Sequence, residues 1–298
     1  MGLVLAASSV VVGVPGAGPS ASTPTVVEGD FARAAAITAG GVPTTSAAAA
    51  APKLTLRIST FNVLGSLHTL TGTDESRMGP GRVRAEWAAS IVRAHASDLV
   101  GLSEIQRDQL LTMMAKMPDF TFWPGTSLSG GVQTNVMWRT SRFDLVSGQT
   151  LAIPFVGQTR LMPIVLLREK TTGRQFYLFN AHNSPNRGPT QTNEAERDAQ
   201  TASEIALIKQ LRATGRPVFF VGDLNEHEEV MCKVISQTDL KAAAGGSYAN
   251  GRCTPPKNMR ADWIFGSNTA FSGYQADRGG LIPRTTDHAV PVTTATVS

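Results

Sequence analysis

The sequence predicts a layered α/β domain, and two observations carry that reading. Short runs of β-branched and aromatic residues alternate with stretches whose apolar residues recur at helical spacing. Polar residues recur directly at the ends of those runs. The clearest case is Pro217-Val218-Phe219-Phe220-Val221-Gly222-Asp223-Leu224-Asn225-Glu226. The apolar run reads as a buried strand, and Gly222 lets the backbone turn sharply after it. In open α/β sheets ligands bind beyond the carboxyl ends of strands. Asp223 and Asn225 are therefore placed for chemistry, although an Asx turn would use the same residues.

Taken in order, Leu54, Leu56 and Ile58 alternate with Thr55, Arg57 and Ser59, a period-two strand running into Thr60-Phe61-Asn62. Val83, Trp87, Ile91 and Ala94 then mark an amphipathic helix closed by Ser97-Asp98. Leu99 to Glu104 reads as a second buried strand, and Asp108 to Met117 as a helix. Asp119–Trp123, Val132–Arg139, Phe143–Val146, Thr150–Ile153 and Leu161–Leu167 are strand candidates. Thr171-Thr172-Gly173 is a turn. Gln175 to Asn180 is a strand ending at Ala181-His182-Asn183. Ala202, Ile205, Ile208 and Leu211 mark one face of a helix from about Glu194 to Ala213. Glu226, Glu228 and Glu229 complement a helix N-terminus and read as structural. Asp262 opens the apolar strand Trp263-Ile264-Phe265, and Thr285-Thr286-Asp287-His288 precedes Ala289-Val290-Pro291-Val292.

The 298 residues are 42% hydrophobic and 17% charged, an ordinary globular composition. Leu3 to Val14 is a short apolar run, followed by Pro15 and small residues, so residues 1–22 read as a secretory leader without the usual basic start. The run is too short to span a bilayer. Residues 23–52 are rich in Ala, Thr, Gly and Pro and read as a disordered linker. The folded domain is expected over 53–298. Residues 1–50 contribute −1 to the net charge of +4, which leaves +5 on the remainder. A basic body favours a polyanionic partner such as nucleic acid, and equally suits a generic soluble surface. Cys232 and Cys253 read as one disulfide or as two buried thiols. The even count and the leader-like start favour the disulfide.

The polar strand ends are Asn62, Glu104, His182, Asp223, Asn225, Asp262, Asp287 and His288. Carboxylates and carboxamides are hard oxygen donors suited to Mg²⁺ or Mn²⁺, and no thiolate is among them. Two histidines make proton transfer available near neutral pH. Phosphoester hydrolysis needs this combination.

In their order along the chain, these segments resemble the endonuclease/exonuclease/phosphatase (DNase I-like) superfamily. The matching segments are Ser59-Thr60-Phe61-Asn62, Gly101-Leu102-Ser103-Glu104, Asn135-Val136-Met137-Trp138-Arg139, Asn180-Ala181-His182, Gly222-Asp223-Leu224-Asn225, Ala261-Asp262-Trp263-Ile264 and Thr286-Asp287-His288. The resemblance implies a four-layer sandwich, two packed mixed β-sheets flanked by helices, with the site at one end of the sheets. It implies Glu104 as the principal metal ligand, with Asn62 and Asp287 close to the metal or its waters. Asp223, helped by Asn225, would orient or deprotonate the attacking water. His288, held by Asp262, would contact the scissile phosphate. His182 stands where the DNase I-like branch has its leaving-group acid. In that branch a glutamate just before the strand corresponding to Asn135–Arg139 supports the histidine. Here Val132-Gln133-Thr134 offers no carboxylate, so acid and phosphate-binding roles both stay open.

Among the remaining polar residues, His68 and His95 read as ordinary and His227 as a surface residue. Arg187 and Arg197 read as facing a phosphate backbone or as a solvated face. Trp87 and Trp138 read as core. Three functions follow: a secreted metal-dependent nuclease, the same chemistry on a phospholipid headgroup or sugar phosphate, and a non-catalytic binding domain. The complete set of charged strand ends argues against the third.

Overall fold

The computed structural model of the chain describes residues 53–73, 75–128, 133–186 and 192–297. The leader and linker expected over residues 1–52 lie outside these, as do Val132 and Arg187. In chain order the elements are β1 (Leu54–Asn62), α1 (Gly81–Ala94), β2 (Leu99–Ser103), α2 (Arg107–Lys116), β3 (Phe120–Trp123), β4 (Thr134–Arg139), β5 (Phe143–Phe155), β6 (Gln158–Glu169), β7 (Gln175–His182), α3 (Glu194–Arg212), β8 (Val218–Asp223), α4 (Glu228–Gln237), β9 (Lys241–Ala242), β10 (Ser247–Ala249), β11 (Arg252–Thr254), β12 (Asp262–Gly266), β13 (Thr269–Asp277), α5 (Ile282–Thr285) and β14 (Val290–Val297).

Two six-stranded mixed sheets form, ordered β13-β14-β1-β2-β4-β3 and β5-β6-β7-β8-β12-β9. Strand alternation decides what each face buries. Leu54, Leu56 and Ile58 of β1 and Phe219 and Val221 of β8 meet between the sheets, with Trp138, Phe176 and Val297. Phe61, Val100 and Leu102 turn the other way, onto α1 and α2. Val218 and Phe220 turn onto the helical side of the second sheet, with Ile205 and Ile208 of α3 and Val230 and Val234 of α4. The result is helices, sheet, sheet, helices. Each large apolar side chain so buried contributes about 1.5–3 kcal/mol.

The sheets approach closely at Gly101, where a Cβ would lie 2.5 Å from Asn180 Oδ1 and 2.6 Å from Val221 Cγ2. Asn180 uses that proximity. Its Nδ2 donates to Leu102 O at 2.8 Å and to Asn135 O at 3.0 Å, so a buried carboxamide of one sheet is tied to two carbonyls of the other.

The expected helices and most strands fall over the residues expected, but of the stripe read on α1 only Ile91 is fully buried: Val83 and Ala94 are exposed, and the buried face is Ala85, Ala88, Ala89 and Val92. Phe143–Val146 and Thr150–Ile153 are instead one strand, β5, whose register shifts between Leu145 and Ser147. The exposed polar stretch between them hides its continuity, and Gly148 is small because the Trp123 ring packs on it, 2.4 Å from where a Cβ would stand. β13 carried no strand signal because it is an edge strand, mostly exposed, with an irregularity between Ser272 and Gln275. Cys232 and Cys253 form a disulfide, with Cα atoms 5.7 Å apart, tying α4 to β11. Among the described residues no helix is long and apolar enough to cross a membrane.

Candidate active site

Topology brings the polar strand ends together. β1 and β2 are parallel, with Asn62 opposite Ser103, so Asn62 and Glu104 leave the first sheet at one end. β7 and β8 are parallel, with His182 opposite Asp223. β12 is antiparallel to β8 and begins with Asp262 opposite Asp223. β14 is antiparallel to β1, so the residues just before it, Asp287 and His288, arrive at the same end. Parallel strands deliver their carboxyl ends there and antiparallel strands their beginnings.

Local backbone sets the aim. Gly222 has φ 143°, and a Cβ there would lie 1.9 Å from Ala181 O, so glycine is what lets β8 lie against β7 beside Asp223. Glu104 has φ 60° and Asn225 φ 52°. The left-handed region costs a non-glycine residue about 1–2 kcal/mol, less for asparagine. Both are held by hydrogen bonds. Gly65 N donates to Glu104 Oε2 at 3.2 Å, and Asn225 Nδ2 donates to Asn183 O at 2.7 Å.

Asn62 joins the two carboxylates. Its Nδ2 donates to Glu104 Oε1 at 3.0 Å and to Asp223 Oδ2 at 2.9 Å, while its Oδ1 accepts from Leu64 N. His182 Nε2 lies 3.8 Å from Glu104 Oε1 and 3.6 Å from Asp223 Oδ2. On the other side of Asp223, His288 Nε2 lies 3.8 Å from Oδ2 and its Nδ1 is hydrogen-bonded to Asp262 Oδ2 at 2.7 Å. Glu104, His182 and Asp223 form one group able to converge on a cation, and Asp223, Asp262 and His288 another. Asp287 is exposed and stands outside both groups, but it lines the same cleft, about 650 Å³, with Leu64, His68, Glu104, Asn225 and His288.

The electrostatics follow from burial and neighbours. Burial pushes the Glu104 carboxyl up, but His182, the Asn62 hydrogen bond and His68 outweigh it and hold Glu104 below its ordinary value. Burial and the charge of Asp262 raise Asp223, against the pull of His288, His182 and Asn62. Burial would lower His288, but the charge and hydrogen bond of Asp262, with Asp223 and Asp287, raise it to about 10. Burial keeps His182 below its ordinary value, against Asp223 and Glu104. The site therefore favours an imidazolium at His288, while burial disfavours one at His182.

Two residues stand elsewhere than expected, and a third, Arg160, carried no expectation. His68 is not ordinary: its Nε2 lies 3.3 Å from Glu104 Oε2, and it lines the cleft. Nothing in the glycine-containing loop after β1 signals this, because the loop's path is set by Arg84. That buried guanidinium donates to the carbonyls of Val63, Leu64 and Thr285. Arg197 is neither phosphate-facing nor solvated. It is 1% exposed, donates to Glu226 Oε1 at 3.0 Å and to the carbonyls of Ser184 and Thr192, and braces α3. Arg160, just before the strand expected over Leu161–Leu167 and not singled out in the sequence, donates to His182 Nδ1 at 3.2 Å. His95 pairs with Asp277 away from the cleft, and His227 is exposed.

The donor set suits a hard divalent cation. Glu104, Asp223 and Asp287 offer carboxylate oxygens, the described cysteines are both in the disulfide, and Glu104 is held ionised.

Residues 59–288 match the model of the Endonuclease/Exonuclease/phosphatase family. No curated protein matches the chain. Among solved structures, the mannosyl-6-phosphatase Bt3783 of Bacteroides thetaiotaomicron has a TM-score of 0.62 at 19% identity, with 82% of this chain and 100% of that one covered. The human Nocturnin catalytic domain with bound sulfate has a TM-score of 0.59 at 19% identity, covering 82% and 94%. D. rerio TDP2 complexed with a single-strand DNA product has 0.58 at 18%, covering 81% and 98%. Likeness at this identity is likeness of fold. The family model spans most of the chain, and the strand-end residues it spans are those gathered at one cleft; the chain belongs to the endonuclease/exonuclease/phosphatase family of phosphoric ester hydrolases.

Proposed function

We propose that the chain is a secreted, divalent-metal-dependent phosphodiesterase whose substrate is nucleic acid. The observation that carries the reading is the meeting of Glu104, Asn62, Asp223 and the Asp262–His288 pair at one open cleft. Glu104 would hold Mg²⁺ or Mn²⁺, with Asn62 and Asp287 beside it or its waters. When bound, such a cation offsets phosphate charge and stabilises the developing oxyanion. Asp223, with Asn225 N donating to its Oδ1 at 3.1 Å, has its other oxygen turned toward Asn62, His182 and His288, where it can orient and deprotonate a water. His288, kept as imidazolium by Asp262, would meet the charge that develops on phosphorus oxygens. His182 Nε2 lies 3.6 Å from the same Asp223 oxygen.

The basic body supports a polyanionic substrate, and the leader-like start with the disulfide supports export. A neighbouring fold is described with a DNA product, another as a mannosyl-6-phosphatase. A second reading, hydrolysis of a phospholipid headgroup, is favoured by Leu67 and Leu70. They are 59% and 53% exposed, and Leu67 lines the cleft beside Leu64. The test is Mg²⁺-dependent hydrolysis measured side by side on plasmid DNA, RNA, sphingomyelin and a simple phosphomonoester. Cleavage of DNA or RNA supports the proposal. Turnover of sphingomyelin alone moves the substrate to the lipid headgroup, and turnover of the monoester alone moves it to a sugar phosphate.

A further inference from the structure

On the phosphoester-hydrolase reading above, we propose that Arg160 is the positioning residue of His182. It holds the ring as the Nε2–H tautomer, so that His182 meets the substrate as a hydrogen-bond donor to a phosphoryl oxygen rather than as the leaving-group acid.

The first step is donor arithmetic. Arg160 Nη1 lies 3.2 Å from His182 Nδ1. A guanidinium carries five N–H donors and no acceptor, so Nδ1 must accept and cannot carry a proton. The ring proton is then on Nε2. Nε2 lies 3.6 Å from Asp223 Oδ2 and 3.8 Å from Glu104 Oε1, two carboxylate oxygens that suit an N–H on that side of the ring.

The second step is rigidity. β5 and β6 join through Val156-Gly157, whose φ values of 47° and 74° are those of a tight primed hairpin turn. The tip is anchored to α3, since Val156 N donates to Glu196 Oε1 at 2.6 Å and Gln200 Nε2 donates to Pro154 O at 2.5 Å. From this tip come Phe155 and Arg160. The guanidinium carbon sits 3.3 Å from the Phe155 ring centroid, and the Phe155 ring meets the His182 ring edge-on at 5.1 Å. The His182 side chain is 4% exposed. The histidine is therefore clamped between a cation on Nδ1 and the cleft at Nε2.

The third step is the comparison of two supports. A carboxylate behind a histidine accepts from Nδ1–H and lets the ring carry two protons, one to give away. A guanidinium in the same place donates to Nδ1 and admits no proton there. In this chain the group at Nδ1 is Arg160, a donor, and not a carboxylate. The ring keeps its single proton and uses it to bind.

Two measurements test this. Long-range ¹H–¹⁵N spectra of the His182 ring, recorded without substrate, should show protonated Nε2 and bare Nδ1 in the wild type. Arg160→Met should shift the ring toward Nδ1–H, and Arg160→Lys should restore part of the wild-type signature. An imidazolium or an Nδ1–H ring in the wild type overturns the proposal. For the second measurement, His182→Ala and Arg160→Met are assayed on an aryl phosphodiester, whose leaving group needs no acid, and on a dinucleotide, whose alkoxide does. A lost donor to the phosphoryl group should lower kcat by about a hundredfold on both substrates alike. A loss confined to the dinucleotide identifies an acid and overturns the proposal. A wild-type enzyme that hydrolyses neither substrate strikes the functional reading alone, because the ring spectrum is read without turnover.

Discussion

At the scale of single residues, the cleft is a set of charges that constrain one another. Glu104 lies below its ordinary value, so replacing it by Gln keeps the shape and removes the charge a cation needs. Glu104→Gln should lower kcat/KM by about a hundredfold or more, with an unchanged circular-dichroism spectrum. Wild-type activity at low Mg²⁺ would show that the cation is held elsewhere. His288 and Asp262 share a 2.7 Å hydrogen bond and act as one unit. His288→Ala and Asp262→Asn should each lower turnover, and the double variant should lose little more than the worse single one. Additive losses would separate the two. The carboxylates and His288 were legible in the sequence because each ends or opens an apolar run. His68 and Arg160 were not, since their places depend on a loop path and on a hairpin tip, and neither leaves a periodic signal. Arg197 misled for the opposite reason. Charge on a helix suggests solvent, but here two carboxylates, Glu194 and Glu226, and two carbonyls, of Ser184 and Thr192, replace it.

At the scale of elements, buried polar contacts behind the cleft fix how strands and helices meet. Glu204, on the buried face of α3, receives Asn183 Nδ2 at 3.3 Å, and burial raises its carboxyl to about 8. Glu204 Oε1 is buried without a partner, so a charge on this carboxyl would be poorly compensated. The folded pKa lies above the ordinary value of about 4.3, so the folded protein keeps a proton that the unfolded chain releases. Stability from this group is fully present below about pH 4.3 and is lost as pH rises through about 8, by at most about 1.4 kcal/mol per pH unit. Urea unfolding of wild type and Glu204→Gln at about pH 5, 6.5 and 8 checks the sign. The variant should gain on the wild type as pH rises, and a constant difference would show that Glu204 is already charged in the fold. Central strands were legible because their apolar runs match their surroundings, and helices were legible in extent, although α1 buries alanines where the sequence suggested Val83 and Ala94. β13 and the middle of β5 were not, because edge and exposed strands carry no continuous apolar run.

At the scale of the whole molecule, the cleft straddles both sheets. Asn62 and Glu104 come from the first, and His182, Asp223 and Asp262 from the second. The cleft geometry thus depends on the inter-sheet core and on the Asn180 contacts that cross it. That packing decides the chemistry and leaves substrate choice to the surface. Residues 1–50 contribute −1 to a net charge of +4, so the remainder carries +5. A nucleic acid would place several phosphates against that surface besides the scissile one, and each one neutralised releases counterions. With about four such contacts, the KM for duplex DNA should rise roughly a hundredfold between about 50 and 200 mM salt. A single phosphate contact gives roughly fourfold or less over the same range. The series is run at fixed Mg²⁺, because Mg²⁺ itself competes for phosphate. A steep rise together with cleavage supports the nucleic-acid substrate. A shallow one, with rapid turnover of a lipid or a phosphomonoester, assigns the same catalytic residues to a small phosphoester held by the cleft alone.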